Sequence, residues 1–408
     1  MLANTDRLAG SQLIEDPYPL YARLRQEAPV WQVPGTEVFF VSTWKLVAEA
    51  VARVDDFSNH FRHALFSEED GSIGLLNFGT EGTAPDVFAG ADPPAHTIHR
   101  ELFSPEFMQK KMLGLESPVS ALADTLLDHF LARGRGDVTT ELANPLPMRI
   151  MAEHVIGFRD PDVGQLQHWV FAGSWLMGGR VQLGEMASIA DDASGLHPWV
   201  KQQLDQALTS PGADGVLSAT AAGVRDGVLT HDEATFTLMV FLGAGGETTT
   251  SLIGNAIGIL SEHPELQDQV RANPSAVPVF LEEVLRFESP FRFHPRTAQR
   301  EVGLGGVHIP ERAMVALLWG AANRDGSVFE RPDEFRLDRA NAQLQVGFGR
   351  GIHYCVGAPL ARLESRIVLQ RLLERTSHFS RDGNSPPRWA DSLWMRRHEY
   401  LPIVVDPA

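Results

Sequence analysis

One segment, His231–Glu262, constrains the fold of this chain more than any other. It has helical spacing and is apolar nearly all round, as Phe236, residues 238–242 and Ile257 illustrate. A helix with apolar side chains on every face is buried, so this segment should run through the core. Polar residues 247–251 interrupt the apolar run at its middle, which argues against a membrane span. We therefore expect a fold built around one buried helix, with a polar site at its centre.

Helical spacing also dominates the rest of the chain, and few segments alternate as strands do. Val38–Val41 predicts a strand, and residues 61–90 predict a long irregular loop because glycine is frequent there. No repeat, low-complexity tract or Gly/Ser linker marks a domain boundary. We predict a mainly α protein with small β-sheets (α+β), folded as a single large domain over residues 1–408. The other main predicted helices are residues 18–26, 44–54, 94–103, 117–132, 145–156, 163–175, 198–207 and 358–375.

Charge and cysteine content narrow the possible functions. The net charge of −17 argues against a nucleic-acid-binding protein, because such proteins need basic surface to neutralise phosphates. Residues 1–12 have neither the apolar region of a signal peptide nor a membrane anchor, so we expect a cytoplasmic location. The single cysteine cannot form an intramolecular disulfide and is free for chemistry.

The strongest local signal surrounds that cysteine, Cys355, in residues 348–357, which we name the cysteine loop. Its glycines let the backbone approach a flat, bulky ligand. Helical spacing begins at Ala358, so Cys355 should lie just ahead of a helix N-terminus, whose N–H groups and positive dipole end stabilise a thiolate. The alternative is that a lone cysteine is a small buried apolar residue.

The cysteine loop resembles the ligand loop of the cytochrome P-450 family, Phe-Gly-x-Gly-x-His-x-Cys-x-Gly, at every fixed position. Six specified residues in ten positions rarely coincide by chance. The resemblance covers nearly the whole chain and implies a P-450 fold, with haem b buried between the long central helix and the cysteine loop. It implies Cys355 as the metal ligand, with Phe348, Gly349, His353 and Gly357 at the cofactor.

The centre of the long helix carries a second match to the family, the run Ala-Gly-Gly-Glu-Thr-Thr. In the family this stretch faces the oxygen-binding side of the haem, which places Ala244 and Gly245 at the cofactor. The same resemblance implies that Thr248 hydrogen-bonds the bound dioxygen and that Glu247 helps to relay protons. The alternative is that the Thr248 hydroxyl only bonds back to its own helix, as mid-helix hydroxyls often do.

A third match lies in residues 283–286, which resemble the Glu-x-x-Arg motif of the family. By itself an acid and a base three residues apart on a helix indicate no more than a solvated ion pair. The resemblance pairs them with an arginine downstream. We interpret Glu283, Arg286 and Arg339 as a structural network that holds the haem-binding core.

Haem has two propionates, which need positive or hydrogen-bonding partners when they are partly buried. The candidates at positions matching the family are His96, Arg100, Arg296 and His353. His96 and Arg100 lie four residues apart on one helix face, and His99 falls on another. Any one of these could instead be an ordinary surface residue.

The resemblance implies a monooxygenase that inserts one atom of dioxygen into a substrate by hydroxylation or epoxidation. No flavin or nicotinamide-binding domain fits in the remaining sequence, so the implied electron donors are a ferredoxin and its reductase. Arg100, Lys110, Lys111, Arg350 and Arg362 are candidates for a basic docking face. The alternatives are a peroxide-driven peroxygenase, a nitric oxide reductase and a non-catalytic haem-binding sensor or carrier; the acid and hydroxyl pair argues against the peroxygenase and the sensor.

Aromatic residues in loops and near helix ends suggest the substrate pocket. Their apolar character predicts a lipophilic small-molecule substrate, although about half could simply pack the core. Fatty acids, terpenoids, steroids and polyketide-like intermediates all remain open. The candidate pocket residues are Phe78, Phe88, Trp175, Phe291, Phe293 and Trp394.

Overall fold

The computed structural model describes residues 11–77, 85–210 and 214–408. Helices make up most of its regular structure. The α-helices are α1 (Ser11–Glu15), α2 (Tyr18–Glu27), α3 (Trp44–Ala52), α4 (Ala95–Phe103), α5 (Gln109–Leu113), α6 (Glu116–Leu131), α7 (Pro145–Arg149), α8 (Val163–Leu176), α9 (Met186–Ala193), α10 (Leu196–Thr209), α11 (Val216–Arg225), α12 (His231–Glu262), α13 (Pro264–Ala272), α14 (Val277–Phe287), α15 (Trp319–Ala322) and α16 (Ala358–Arg375).

The strands are short, from two to six residues. They are β1 (Val30–Gln32), β2 (Val38–Val41), β3 (Phe57–Ser58), β4 (His63–Ser67), β5 (Ile73–Asn77), β6 (Arg135–Asp137), β7 (His294–Ala298), β8 (Val302–Leu304), β9 (Val307–Ile309), β10 (Met314–Leu317), β11 (Thr376–Arg381), β12 (Arg388–Trp389), β13 (His398–Tyr400) and β14 (Pro402–Pro407).

Helix α12 occupies the core, as its sequence predicts, and has the predicted bounds. A capping box starts it, in which the Thr230 hydroxyl accepts from Glu233 N–H (3.2 Å) and the Glu233 carboxylate accepts from Thr230 N–H (2.7 Å). Pro264 opens the next helix, because proline cannot continue the one before it. Helices α7, α8, α10, α11, α14 and α16 pack around α12.

The largest sheet has five strands in the order β1-β2-β10-β7-β3, with β2 and β10 parallel and the other neighbours antiparallel. A second sheet has the order β11-β14-β6. Strand β7 carries Arg296 at the partner position of Val315 on β10, so this sheet fixes one wall of the site described below.

Two expectations about strands were wrong. Most strands follow β2, although few were expected there, and the predicted loop over residues 61–90 contains the antiparallel pair β4 and β5. Four of the five β4 residues are buried, which removes the alternation that identifies a half-exposed strand. Gly74 contributed to the loop prediction, but it is required for packing, because a Cβ at this position would overlap the Phe66 ring.

The predicted helix over residues 145–156 is α7 continued by the π-helical segment Ile150–Ile156, which ends at Gly157 with φ +83°. The helix predicted at residues 358–375 is α16, with the same bounds. The observed mixture of many helices and small sheets confirms the predicted fold class. Among the helices of the described residues, none is long and apolar enough to cross a membrane.

Candidate active site

The cysteine loop brings its backbone close to Cys355 by two left-handed turns. Gly349 and Gly351 have φ of +71° and +68°, which only glycine adopts without strain. The Cys355 N–H donates to the Phe348 carbonyl (2.9 Å) and closes the loop. Helix α16 begins three residues later, as predicted, so its N-terminus faces the cysteine.

Two opposing effects act on the Cys355 thiol. Burial raises its pKa, while the N–H groups of Gly357 and Ala358 and the charge of Arg100 pull the pKa down. Burial is the larger effect, so the helix N-terminus alone does not produce the thiolate that the sequence led us to expect. A bound metal cation would supply the missing stabilisation, because a coordinating thiol is deprotonated outright.

A large cavity lies beside Cys355, enclosed by α12, the cysteine loop, α4 and β7. It contains about 1310 Å³ of space not filled by protein, part of which is open to solvent. Its apolar wall includes Phe88, Phe107, Val240, Phe241, Leu252 and Phe291.

The four residues proposed for propionates all line this cavity. Burial lowers the pKa of His96 to about 4 and that of His353 to about 2, so both imidazoles are neutral, and their ring centroids lie 4.0 Å apart. Burial lowers the pKa of Arg296 to about 10 and also lowers that of Arg100, yet both remain cations at neutral pH. Arg100 donates to the Tyr354 carbonyl (3.0 Å), which ties α4 to the cysteine loop. His99 faces elsewhere and accepts from the Phe88 N–H.

The middle of α12 forms another part of the cavity wall. Ala244, Gly245 and Thr248 line the cavity. A Cβ at Gly245 would lie 2.5 Å from the Met151 sulfur, so glycine lets the π-helical segment pack against α12. The Thr248 hydroxyl donates to the Ala244 carbonyl (2.6 Å), the local bond that was the alternative for this residue. Its oxygen remains able to accept a hydrogen bond.

Glu247 is buried behind this wall rather than on it. Its Oε1 accepts from Arg397 Nε at 3.0 Å, and the two side chains are 7% and 15% exposed. Burial raises the Glu247 pKa, and the Arg397 charge and a hydrogen bond from Ser174 oppose that rise. The Arg397 guanidinium also lies 4.7 Å from the centre of the Phe171 ring on α8. This acid therefore joins α12, α8 and the segment before β13.

Comparisons with known proteins agree with this geometry. The Cytochrome P450 family model matches residues 199–401. Cytochrome P450 144 of Mycobacterium tuberculosis is 37% identical over 396 residues, which are 97% of this chain and 90% of the relative. The chain belongs to the cytochrome P450 family. The 6-deoxyerythronolide B hydroxylase of Saccharopolyspora erythraea is 31% identical over 407 residues, 96% of each chain. The structure of CYP109E1 from Bacillus megaterium in complex with testosterone matches with a TM-score of 0.86 and 26% identity, covering 97% of this chain and 99% of that chain.

Family membership confirms three predictions made from the sequence. The fold is that of a cytochrome P450, the chain is a P450 monooxygenase and hence an oxidoreductase, and its cofactor is haem b. The cavity fits this cofactor on its own evidence. The half-buried Cys355 thiol lines the space, Arg100 and Arg296 supply cations for two carboxylates, and Gly349 and Gly357 keep side chains off the loop.

The substrate-pocket prediction needs correction. Phe88 and Phe291 line the P450 cavity, but Phe293 and Trp394 do not and instead line a small apolar pocket beside it. The bend at Arg292 shifts the alternation, so His294 faces the cavity while Phe293 faces away. Trp175 lies in the last turn of α8 and is 53% exposed. Phe78 lies outside the described residues.

Sequence reasoning missed several residues of the cavity wall. Phe241 precedes Ala244 by one turn of α12, so helical periodicity could have found it. His294 lies two residues before Arg296 in one strand, so strand periodicity could have placed it on the same face. Met151 and Trp319 reach the wall from distant elements, and no local pattern identifies them.

Glu283, Arg286 and Arg339 come together in a buried cluster. The Glu283 carboxylate accepts from Arg286 Nε and Nη2 (2.8 and 2.7 Å) and from Arg339 Nε (2.9 Å). Arg286 also donates to the Asn323 carbonyl, and Asn323 Oδ1 accepts from Val346 N–H just before the cysteine loop. The cluster thus anchors the chain that leads into Cys355.

Proposed function

We propose that this P450 inserts one oxygen atom into a lipophilic small molecule, by hydroxylation or epoxidation, with electrons from a ferredoxin and its reductase. The observation that carries the proposal is that Cys355 and Thr248 line one cavity whose remaining wall is largely aromatic and aliphatic. In this proposal residues 1–408 form one domain, because α12 packs against elements from both halves of the chain.

Cys355 would ligate the haem iron, and Arg100 and Arg296 would be the charged partners of the propionates. Neutral His96 and His353 would add hydrogen bonds. When bound, a thiolate-ligated haem activates dioxygen and supplies the oxygen atom that enters the substrate. Ala244, Gly245, Phe348, Gly349 and Gly357 would give the flat cofactor its close backbone surfaces.

Glu247 and Thr248 are proposed to control proton supply. Burial raises the pKa of Glu247, which favours the protonated carboxyl that a proton donor requires. Its carboxyl is held by Arg397, so it must leave that partner to exchange protons with the cavity. The Thr248 oxygen, whose own proton is directed to Ala244, would accept a hydrogen bond from a donor in the cavity. Together they would pass protons without opening the pocket to bulk water.

A lipophilic substrate is supported by the aromatic part of the cavity wall. Phe88, Phe107 and Phe241 form a contiguous aromatic group, with centroids of Phe88 and Phe241 at 4.8 Å and of Phe107 and Phe241 at 5.2 Å. Such a wall favours apolar ligands through the area it removes from water. One relative is named as a 6-deoxyerythronolide B hydroxylase, and another was solved in complex with testosterone. Both compounds are largely apolar.

Ferredoxin docking is proposed on the surface around α5 and the cysteine loop. Arg362 pairs with Glu282, and Lys111 pairs with Glu106, so the charge of each basic residue is neutralised. Lys110 and Arg350 have no acidic partner among the residues that the structure describes. Ile352 and Tyr354, which are 42% and 41% exposed, follow Arg350 in the cysteine loop. An acidic partner would gain both charge complementarity and apolar contact there.

The docking proposal is tested by reversing Lys110 and Arg350 to glutamate, with Lys201→Glu, a lysine on α10 that pairs with Asp205, as a control for charge reversal elsewhere. We expect the first two changes to slow ferredoxin-driven reduction at low salt while substrate binding stays unchanged. Unchanged reduction would remove this surface from consideration.

A cytoplasmic location is also part of the proposal, since a lone unpaired cysteine fits reducing surroundings.

The central test compares the wild type with Cys355→Ala. In the dithionite-reduced protein with carbon monoxide, the wild type should show a strongly red-shifted Soret band that the variant lacks. Product formation should require dioxygen and a surrogate ferredoxin with its reductase. Turnover with peroxide alone would favour a peroxygenase, turnover with reduced nicotinamide alone a nitric oxide reductase, and tight haem without product a sensor.

A further inference from the structure

His294 is a polar side chain set into an aromatic part of the cavity wall. Its ring lies 4.3 Å from the Phe291 ring, 5.8 Å from Trp319 and 6.3 Å from Trp394, measured between centroids. It stands first in β7, two residues before Arg296, and residues two apart on a strand face the same side. Both side chains accordingly line the cavity.

The hydrogen bond from Trp319 fixes which nitrogen of His294 carries the proton. Trp319 is 1% exposed, and its indole N–H can only donate. That N–H lies 2.5 Å from His294 Nδ1, which must therefore be the unprotonated acceptor. Burial, with a smaller effect from Arg296, lowers the His294 pKa to about 3, so the ring is neutral and its single proton is on Nε2.

The Nε2–H group is left as an available donor. Within the described residues it makes no hydrogen bond, and the ring borders the cavity rather than solid protein. A donor desolvated by an aromatic wall gains from an oxygen acceptor, because leaving it unpaired costs free energy. The hydrogen bond from Trp319 also fixes the orientation of the His294 ring, so the ring cannot turn to present its acceptor nitrogen to the cavity.

We propose that His294 is a specificity-determining residue, which donates a hydrogen bond from Nε2 to a carbonyl, ether or hydroxyl oxygen of the substrate. The proposal rests on the proposed function and narrows its substrate class to lipophilic molecules that carry an oxygen acceptor. A haem propionate is the other oxygen acceptor within the same chemistry. We favour the substrate because Arg100 and Arg296 already offer charge to carboxylates, whereas a neutral imidazole among Phe291 and Trp394 suits a neutral ligand.

The test uses the holoenzyme and ligands anchored on the iron. N-dodecylimidazole is compared with keto analogues that carry one carbonyl at successive positions along the chain, and dissociation constants are read from the Soret shift. The measured quantity is the affinity of each ketone relative to the parent. His294→Phe keeps an aromatic ring without the donor, His294→Gln keeps an N–H donor, and Phe291→Leu reshapes the same wall as the matched control.

For at least one carbonyl position we expect the ketone preference of the wild type to exceed that of His294→Phe about three- to tenfold, the worth of one neutral hydrogen bond. His294→Gln should retain part of this preference, and Phe291→Leu should leave it unchanged. Equal preferences in the wild type and His294→Phe at every position overturn the proposal. If His294 instead binds a haem propionate, the proposal is also overturned. In that case the ketone preferences of the wild type and His294→Phe should be equal, and haem should transfer to apomyoglobin faster from His294→Phe than from the wild type.

Failure here is distinguishable from failure of the proposed function. A red-shifted carbon monoxide difference spectrum in His294→Phe shows that the thiolate-ligated haem is intact, so a lost or unchanged ketone preference then reports on His294 alone. If the wild type itself lacks that spectrum, the haem-thiolate assignment fails before His294 is considered.

Discussion

Glu283→Gln should be among the most destabilising single changes in this protein. Glu283 is fully buried and is the carboxylate partner of two buried guanidinium groups, those of Arg286 and Arg339. Glutamine keeps the shape and one acceptor oxygen but removes the charge. Both arginines would then be left in a low-dielectric interior without a counter-charge.

The magnitude follows from the burial. Removing one partner of a buried ion pair costs about 3–5 kcal/mol, and two stranded cations place this change near 5 kcal/mol. An unfolding entropy of about 2.1 cal/mol/K per residue, over 408 residues, gives about 0.86 kcal/mol/K. The midpoint of thermal unfolding should therefore fall by about 6 °C.

The matched control is the neighbouring carboxylate on the same helix. Glu282 binds Arg362 at 2.6 Å, but the two side chains are 18% and 37% exposed, so solvent screens the pair. Glu282→Gln should cost no more than about 1 kcal/mol, or about 1 °C. Circular dichroism and haem absorbance would follow unfolding of both holoproteins. If Glu283→Gln unfolded within about 1 °C of Glu282→Gln, the reasoning about stranded buried charge would be refuted.

Three further changes test other parts of the molecule. Arg397→Gln removes the cation that opposes burial of Glu247, so the pKa of that acid should rise further and the alkaline limit of turnover should move to higher pH; an unmoved pH profile would remove Glu247 from the proton path. Gly245→Ala places a Cβ 2.5 Å from the Met151 sulfur and should cost about 1–3 kcal/mol in urea unfolding, whereas a neutral result would mean that this segment yields easily. His398 is buried, and burial lowers its pKa from 6.5 to about 3. The unfolded chain therefore takes up the proton first, so the free energy of unfolding should fall as the pH drops from 6.5 toward 3. His398→Phe should flatten this pH dependence in urea titrations, and an unchanged dependence would contradict the assignment.

The parts of the site that the sequence predicts best depend on short-range patterns. Both ends of α12 follow from local chemistry, the Thr230 capping box and the break at Pro264, and apolar residues on every face require burial. The cysteine loop is likewise local, since its glycines take left-handed conformations that no other residue adopts without strain. These signals are sufficient to place Cys355, the proposed haem ligand, and the helix whose centre lines the same cavity.

Tertiary structure decided what lies around them. The sequence identifies Glu247 as an acid, but its partner Arg397 is 150 residues away and arrives through the packing of the C-terminal strands. The choice of Phe291 and His294 over Phe293 for the cavity wall depends on one bend, and the donor state of His294 depends on the buried indole of Trp319. Local pattern fixes which residues can carry chemistry, because it reflects backbone conformation and burial. Which of them meet is set by long-range packing, which no window of sequence contains.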